Sequence, residues 1–187
     1  MFDAAGDRSA VALTLYTDSY VVRGEFRTRH RRITDILNQA EEEFLVVEHA
    51  VVDPLGSSGE VIRAEYAQVN LATVLFAVSD VPVDAMPELR TPKTQEEALV
   101  TVPPFTITGR IHLLPERELR IGLEELTGRF VPVTDATYWS DVVGEPRTSA
   151  VIVAVNHARA QILAPHRVVD PWTGLGPSAG AGAQASE

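Results

Sequence analysis

Five histidines, a run of three glutamates and one arginine-rich stretch are the places where this chain could do chemistry. A metal ion needs several donors converging on one point, and its common short signature is two histidines sharing a helix face or strand. His30, His49, His112, His157 and His166 form no pair at i+2 or i+4, and no His-Glu-x-x-His occurs. Glu41, Glu42 and Glu43 are consecutive, so their carboxylates point apart and read as a solvated helix end rather than an acid–base cluster. "GSSG" at 56–59 lacks the Lys-Ser/Thr and following helix of a phosphate loop and reads as a hairpin loop. There is no Gly-x-Ser-x-Gly elbow and no dinucleotide fingerprint. The absence of cysteine removes disulfides, thiolate metal sites and a thiol nucleophile. The expectation is therefore no enzyme, no cofactor and no metal.

The arginine-rich stretch is "RTRHRRITD", residues 27–35, with Arg27, Arg29, Arg31 and Arg32 around His30. Guanidinium groups bind phosphate or carboxylate in a bidentate fork. The whole chain carries a net charge of −10, which repels nucleic-acid phosphates and anionic lipid at long range. That balance favours an internal or protein partner for the arginines over nucleic acid. No apolar run approaches the roughly 20 residues that span a bilayer. The opening "MFDAAGDRSA" lacks the basic start and apolar stretch of a signal peptide. A cytoplasmic protein with no membrane partner is expected.

Something must position these groups, and the chain describes it twice. With an offset of 86 positions, Ile33–Ala77 lies on Leu119–Leu163 without a gap. Phe44 meets Phe130, Val69 meets Val155, Asn70 meets Asn156 and Ala72 meets Ala158. One inserted residue upstream brings Gly24 onto Gly109. Each copy reads as two alternating strands, a short amphipathic helix, and three more strands. In the first copy the helix is "RRITDILNQA", with Ile33, Ile36 and Leu37 on one side. In the second, Pro115 marks its start, Leu119, Leu123 and Leu126 form its stripe and Gly128 fits its C-terminal cap. Gly24 and Gly109 suit bulges or bends. Asn70 and Asn156 suit tight hinges with left-handed backbone angles.

The fold expected is mainly β: two tandem pseudo-repeats, each a small five-stranded bent sheet or barrel with one short helix between strands 2 and 3. Residues 1–9 are a disordered N-terminus, 10–78 the first repeat, 79–97 a linker, 98–165 the second repeat and 166–187 a disordered tail. Trp172 in that tail docks back on a barrel or serves as an interaction motif. "AVIVAV" and "TVLFAV" are apolar on both faces, as strands covered on both sides require.

"RFVPVTDATYW", with Asp135-Ala136, followed by "VAVNHARAQILAP", with Asn156-His157-Ala158 at the turn, resembles the two motifs of the Sm-like family, to which the bacterial RNA chaperone Hfq belongs. The first copy has "VEHAVV" and "AQVNLATVLFAV" there, with His49 in place of the aspartate and Leu71 in place of the histidine. The helix is also displaced, since Sm-like proteins carry it before the first strand. The resemblance implies a small β-barrel that oligomerises and holds nucleic acid at the turn. Two functions follow. One is a non-enzymatic binding or assembly module that self-associates or scaffolds protein partners. The alternative is an Sm-like RNA or single-strand binder using Arg27, Arg29, Arg31, Arg32, Asn70, Asn156 and His157.

Overall fold

The computed structural model describes residues 9–29, 32–39, 43–56, 59–79, 93–115 and 118–166. The chain is mainly β. In order it forms β1 (Ser9–Thr17), β2 (Tyr20–Thr28), α1 (Ile33–Asn38), β3 (Phe44–Pro54), β4 (Ile62–Asn70) and β5 (Val74–Val78). Then come β6 (Thr94–Val102), β7 (Phe105–Leu113), α2 (Leu119–Glu124), β8 (Phe130–Ser140), β9 (Glu145–Asn156) and β10 (Ile162–Pro165). The strand β6 begins inside the stretch read as a linker.

All ten strands join one antiparallel sheet in the order β10-β6-β7-β8-β9-β5-β1-β2-β3-β4. The sheet is unclosed, with β10 and β4 at its two ends. The bent sheet or barrel expected of each half is thus a single hydrogen-bonded ladder running through both. The two halves meet where β5 pairs with β9, in the register Phe76↔Val155, Ala77↔Ala154 and Val78↔Val153. Since β5 is flanked by β1 and β9 and covered on both faces, all five of its residues are buried. That is why "VLFAV" has no polar alternation.

Two hydrophobic cores lie on the two sides of this joint, and each mixes residues from both halves. One gathers Leu15, Ile33, Leu37, Val47, Leu71 and Val74 with Phe130, Ile152 and Ala154 from the second half. The other gathers Phe105, Ile107, Ile111, Val133 and Val153 with Tyr16, Leu75 and Phe76 from the first. Each six-residue helix is far below the length at which an isolated helix holds in water. The first is held by Ile33, Ile36 and Leu37, all nearly fully buried.

Several local expectations are corrected. The second helix starts at Leu119, not at Pro115. It stops with Glu125 as its C-cap, three residues before Gly128, which lies against Asn38 instead. Neither Asn70 nor Asn156 is among the left-handed residues. The non-glycine residues with positive φ are His49 (50°) and Asp135 (49°), 86 positions apart. Each sits at a break in strand register. Gly24 and Gly109 face these breaks. A Cβ on Gly24 would meet Val47 Cγ1 and Glu48 O at 2.5 Å, and one on Gly109 would meet Val133 Cγ1 at 2.7 Å and Thr134 O at 2.8 Å. Close backbone approach, not special angles, is what demands glycine at both. Trp172, Arg31, His30, Glu41, Glu42 and both termini lie outside the described residues.

Candidate assembly interface

The β5–β9 joint is built from three layers of contact. The first is backbone pairing along three residues of each strand. The second is apolar. Phe130, 1% exposed, inserts against α1, while Phe76 stacks on Tyr16 with centroids 4.4 Å apart and meets Phe105 edge-on at 4.9 Å. Tyr138 closes this aromatic group at 5.4 Å from Tyr16. Its polar end is satisfied: the Tyr16 and Tyr138 hydroxyls lie 3.1 Å apart, and Tyr16 also donates to Glu145 Oε1 at 3.3 Å. Burial pushes the Tyr16 hydroxyl well above the usual tyrosine range, reinforced by its bond to Tyr138.

The third layer is a set of polar clasps. Asn38, at the end of α1, donates from Nδ2 to Phe130 O (2.9 Å) and accepts at Oδ1 from Phe130 N (2.7 Å). Asn156 is 2% exposed and donates from Nδ2 to Val74 O (2.8 Å) and Leu71 O (3.3 Å). Arg159 pairs with Asp18. Asn156 Oδ1 accepts from Ala158 N at 3.2 Å, as Asn70 Oδ1 does from Ala72 N at 2.8 Å. Both asparagines thus form their turns by side-chain capping of the backbone two residues on, which removes the need for left-handed angles.

Several positions that the 86-residue offset sets against this joint are exposed at the sheet ends, although Val69, the counterpart of Val155, is buried. Phe44 is 40% exposed where Phe130 is buried. Tyr66 on β4 and Ile162 on β10 are 59% and 53% exposed, whereas Ile152 and Phe76 are buried. The stripe of α2, Leu119, Leu123 and Leu126, is only partly buried, whereas that of α1 is sealed by Phe130.

Two of the four arginines have described contacts within the chain. Arg27 Nε donates to Glu48 Oε2 at 3.0 Å, and that carboxylate raises its pKa further. Arg32 is the N-cap of α1, with its carbonyl accepting from Asp35 and Ile36. Arg29 is exposed just past β2. The structure brings Asn156 onto the Leu71 turn beside Asn70, and His157 N donates to Arg129 O at 2.9 Å. No hydrogen bond or ion pair joins Arg27 or Arg32 to Asn70, Asn156 or His157. A shallow depression of about 280 Å³ between β1, β2 and β3 is lined by Thr14, Arg23, Gly24, Glu25 and His49, and Arg23 is paired with Asp53. Among the described residues no three His, Asp or Glu side chains gather as a metal site requires, and no helix is long and apolar enough to cross a membrane.

Reading the sequence for motifs missed Asn38, Tyr16 and Tyr138. The offset comparison held no signal for Asn38, because Glu124 stands opposite it. Comparison with known proteins gives no match to a family model, to a curated protein or to a solved structure.

Proposed function

We propose that this chain is a non-enzymatic assembly module, made of two tandem copies of one five-stranded unit whose edge strands are its working surfaces. The observation that carries this reading is the strand order. The run β10-β6-β7-β8-β9 repeats the run β5-β1-β2-β3-β4 element for element, and the β5–β9 pairing joins the two runs end to end. Paired positions with matching backbone, His49 with Asp135 and Gly24 with Gly109, support the duplication. Among the described residues, a unit that pairs edge to edge inside the chain leaves the same kinds of edge, β10 and β4, without a neighbouring strand at the two ends. Unpaired edges are templates for strand addition.

The nucleic-acid reading is less well supported. Arg27 is already paired, the Asn156 amide is spent within the chain, and the net charge opposes phosphate. The test is sedimentation velocity on the purified chain across a wide concentration range, with a parallel RNA titration at several salt concentrations. Assembly, or capture of protein strands at the edges, without RNA binding supports the module. Tight RNA binding that weakens steeply with salt and vanishes when Arg27, Arg29, Arg31 and Arg32 are replaced by alanine overturns it.

A further inference from the structure

We infer that the partner of the open edges is a second copy of this chain, docked head to tail, with β10 of one molecule added to β4 of the next. This rests on the assembly reading above and names its partner. The internal joint supplies the template. Carried over by the offset, Val78↔Val153, Ala77↔Ala154 and Phe76↔Val155 become Ala164↔Ala67, Leu163↔Gln68 and Ile162↔Val69.

The backbone agrees with this register independently. On β4, Leu71 N donates to Glu43 O at 2.8 Å, so by strand alternation Val69 and Ala67 turn their amides to β3 and Gln68 turns its own to the open side. On β10, His166 N donates to Glu97 O at 2.8 Å, so Ala164 and Ile162 face β6 and Leu163 faces outward. The two residues that the template pairs, Leu163 and Gln68, are the two whose N–H and C=O are presented. Phe44, exposed on β3, would enter the half-open stripe of α2 as Phe130 enters that of α1.

The second joint is weaker than the first, and the differences are specific. Glu124 stands where Asn38 clasps the Phe130 backbone. A carboxylate accepts from the peptide N–H but cannot donate to the carbonyl. Thr73 and Pro103 stand where Arg159 and Asp18 pair. Association is therefore reversible and set by concentration, while the internal joint is permanent. A head-to-tail contact closes into a ring or grows as a filament, because each added copy leaves the same two edges.

The test uses the full chain and two edge-blocked variants. Gln68→Pro removes the outward N–H of β4 without touching its bonds to β3. Leu163→Pro does the same on β10, and Ile162→Lys blocks the same edge at an exposed position should Leu163→Pro lower the melting temperature. Each variant alone stays monomeric in sedimentation, while an equimolar mixture forms a one-to-one pair, because each retains one working edge. Glu124→Asn restores the clasp and tightens wild-type association by about tenfold or more. Losing the exposed Arg120–Glu124 pair matters little to folding. Assembly that survives both edge variants, or a mixture that stays monomeric, overturns the head-to-tail joint while leaving the module reading standing. A chain that is monomeric at every concentration, with Glu124→Asn monomeric too, overturns the second-copy partner. Edge capture of other protein strands then decides the module reading separately.

Discussion

Asn70 and Asn156 occupy matched positions at the ends of β4 and β9, and Asn156 alone reaches across to the carbonyls of Leu71 and Val74. Replacing Asn156 with alanine removes three hydrogen bonds and leaves the carbonyls of Leu71 and Val74 without that donor. Leu71 and Val74 are each 0% exposed, so water cannot easily compensate. A buried acceptor left unpaired costs about 1–3 kcal/mol, so the loss should be about 2–4 kcal/mol in all. Replacing Asn70 removes one cap at an exposed turn and should cost about 0.5–1 kcal/mol. Urea unfolding followed by far-ultraviolet circular dichroism separates the two. With a slope of about 2 kcal/mol per molar urea, Asn156→Ala should lower the midpoint by about 1–2 M and Asn70→Ala by less than about 0.5 M. Equal shifts, or a larger one for Asn70→Ala, would refute the assignment of Asn156 to the joint.

Phe130→Ala should destabilise by about 3–5 kcal/mol, whereas Phe44→Ala, at a half-open position, should cost about 1–2 kcal/mol; chemical denaturation at low protein concentration compares them. His49→Gly should raise stability by about 0.5–1 kcal/mol, seen as a higher melting temperature, because glycine adopts its φ of 50° without steric cost and the His49–Glu25 contact is exposed. Folded Tyr16 keeps its proton above the usual tyrosine range of about 10, while the unfolded chain releases it there, so stability should fall as pH rises through alkaline values. Tyr16→Phe should flatten that decline in urea titrations at successive alkaline pH values, at the cost of the Tyr138 and Glu145 bonds.

The mainly β character was legible because strand alternation and two-sided apolar runs are local signals. "VLFAV" is apolar throughout, and β5 is buried throughout. Both helices were legible from their leucine and isoleucine spacing, although their ends were not. Gly128 looks like a cap in sequence but serves the approach of Asn38. The left-handed residues escaped because a register break, not residue type, places them. His49 and Asp135 stand inside strand-patterned runs, so their tolerance of positive φ went unread, and the asparagines that share that tolerance instead use their side chains. The aromatic group of Tyr16, Phe76, Phe105 and Tyr138 was illegible because its members come from four strands: the β1–β5 pairing sets Tyr16 opposite Phe76, and the β5–β9 pairing brings that pair against Phe105 and Tyr138 of the second half. Apolar runs in β5 and β9 do not by themselves say that the two strands pair with each other. The exposure of Phe44 was illegible too, since its offset twin Phe130 is buried in the core that α1 enters, a long-range contact that no local pattern announces.

If the chain is two fused units, as proposed, the fusion changes what a joint must do. The β5–β9 contact forms between tethered partners, so its effective concentration is set by the connection and it escapes the translational cost of association. It nonetheless carries the full set of clasps, Asn38, Asn156 and the Arg159–Asp18 pair. A contact between separate chains must overcome an association cost of several kcal/mol, about 4 or more. It would have to do so with Glu124 in place of Asn38 and without the ion pair. The stronger fastening therefore sits where less is needed, and the weaker where more is needed. On the proposed reading this division suits a two-unit block whose further assembly is adjustable, since small changes at Glu124 or in protein concentration would shift a marginal contact and leave the core joint untouched. Were the outer edges as fully clasped as the inner joint, the block would polymerise irreversibly and its exposed Phe44, Tyr66 and Ile162 would not remain at the surface.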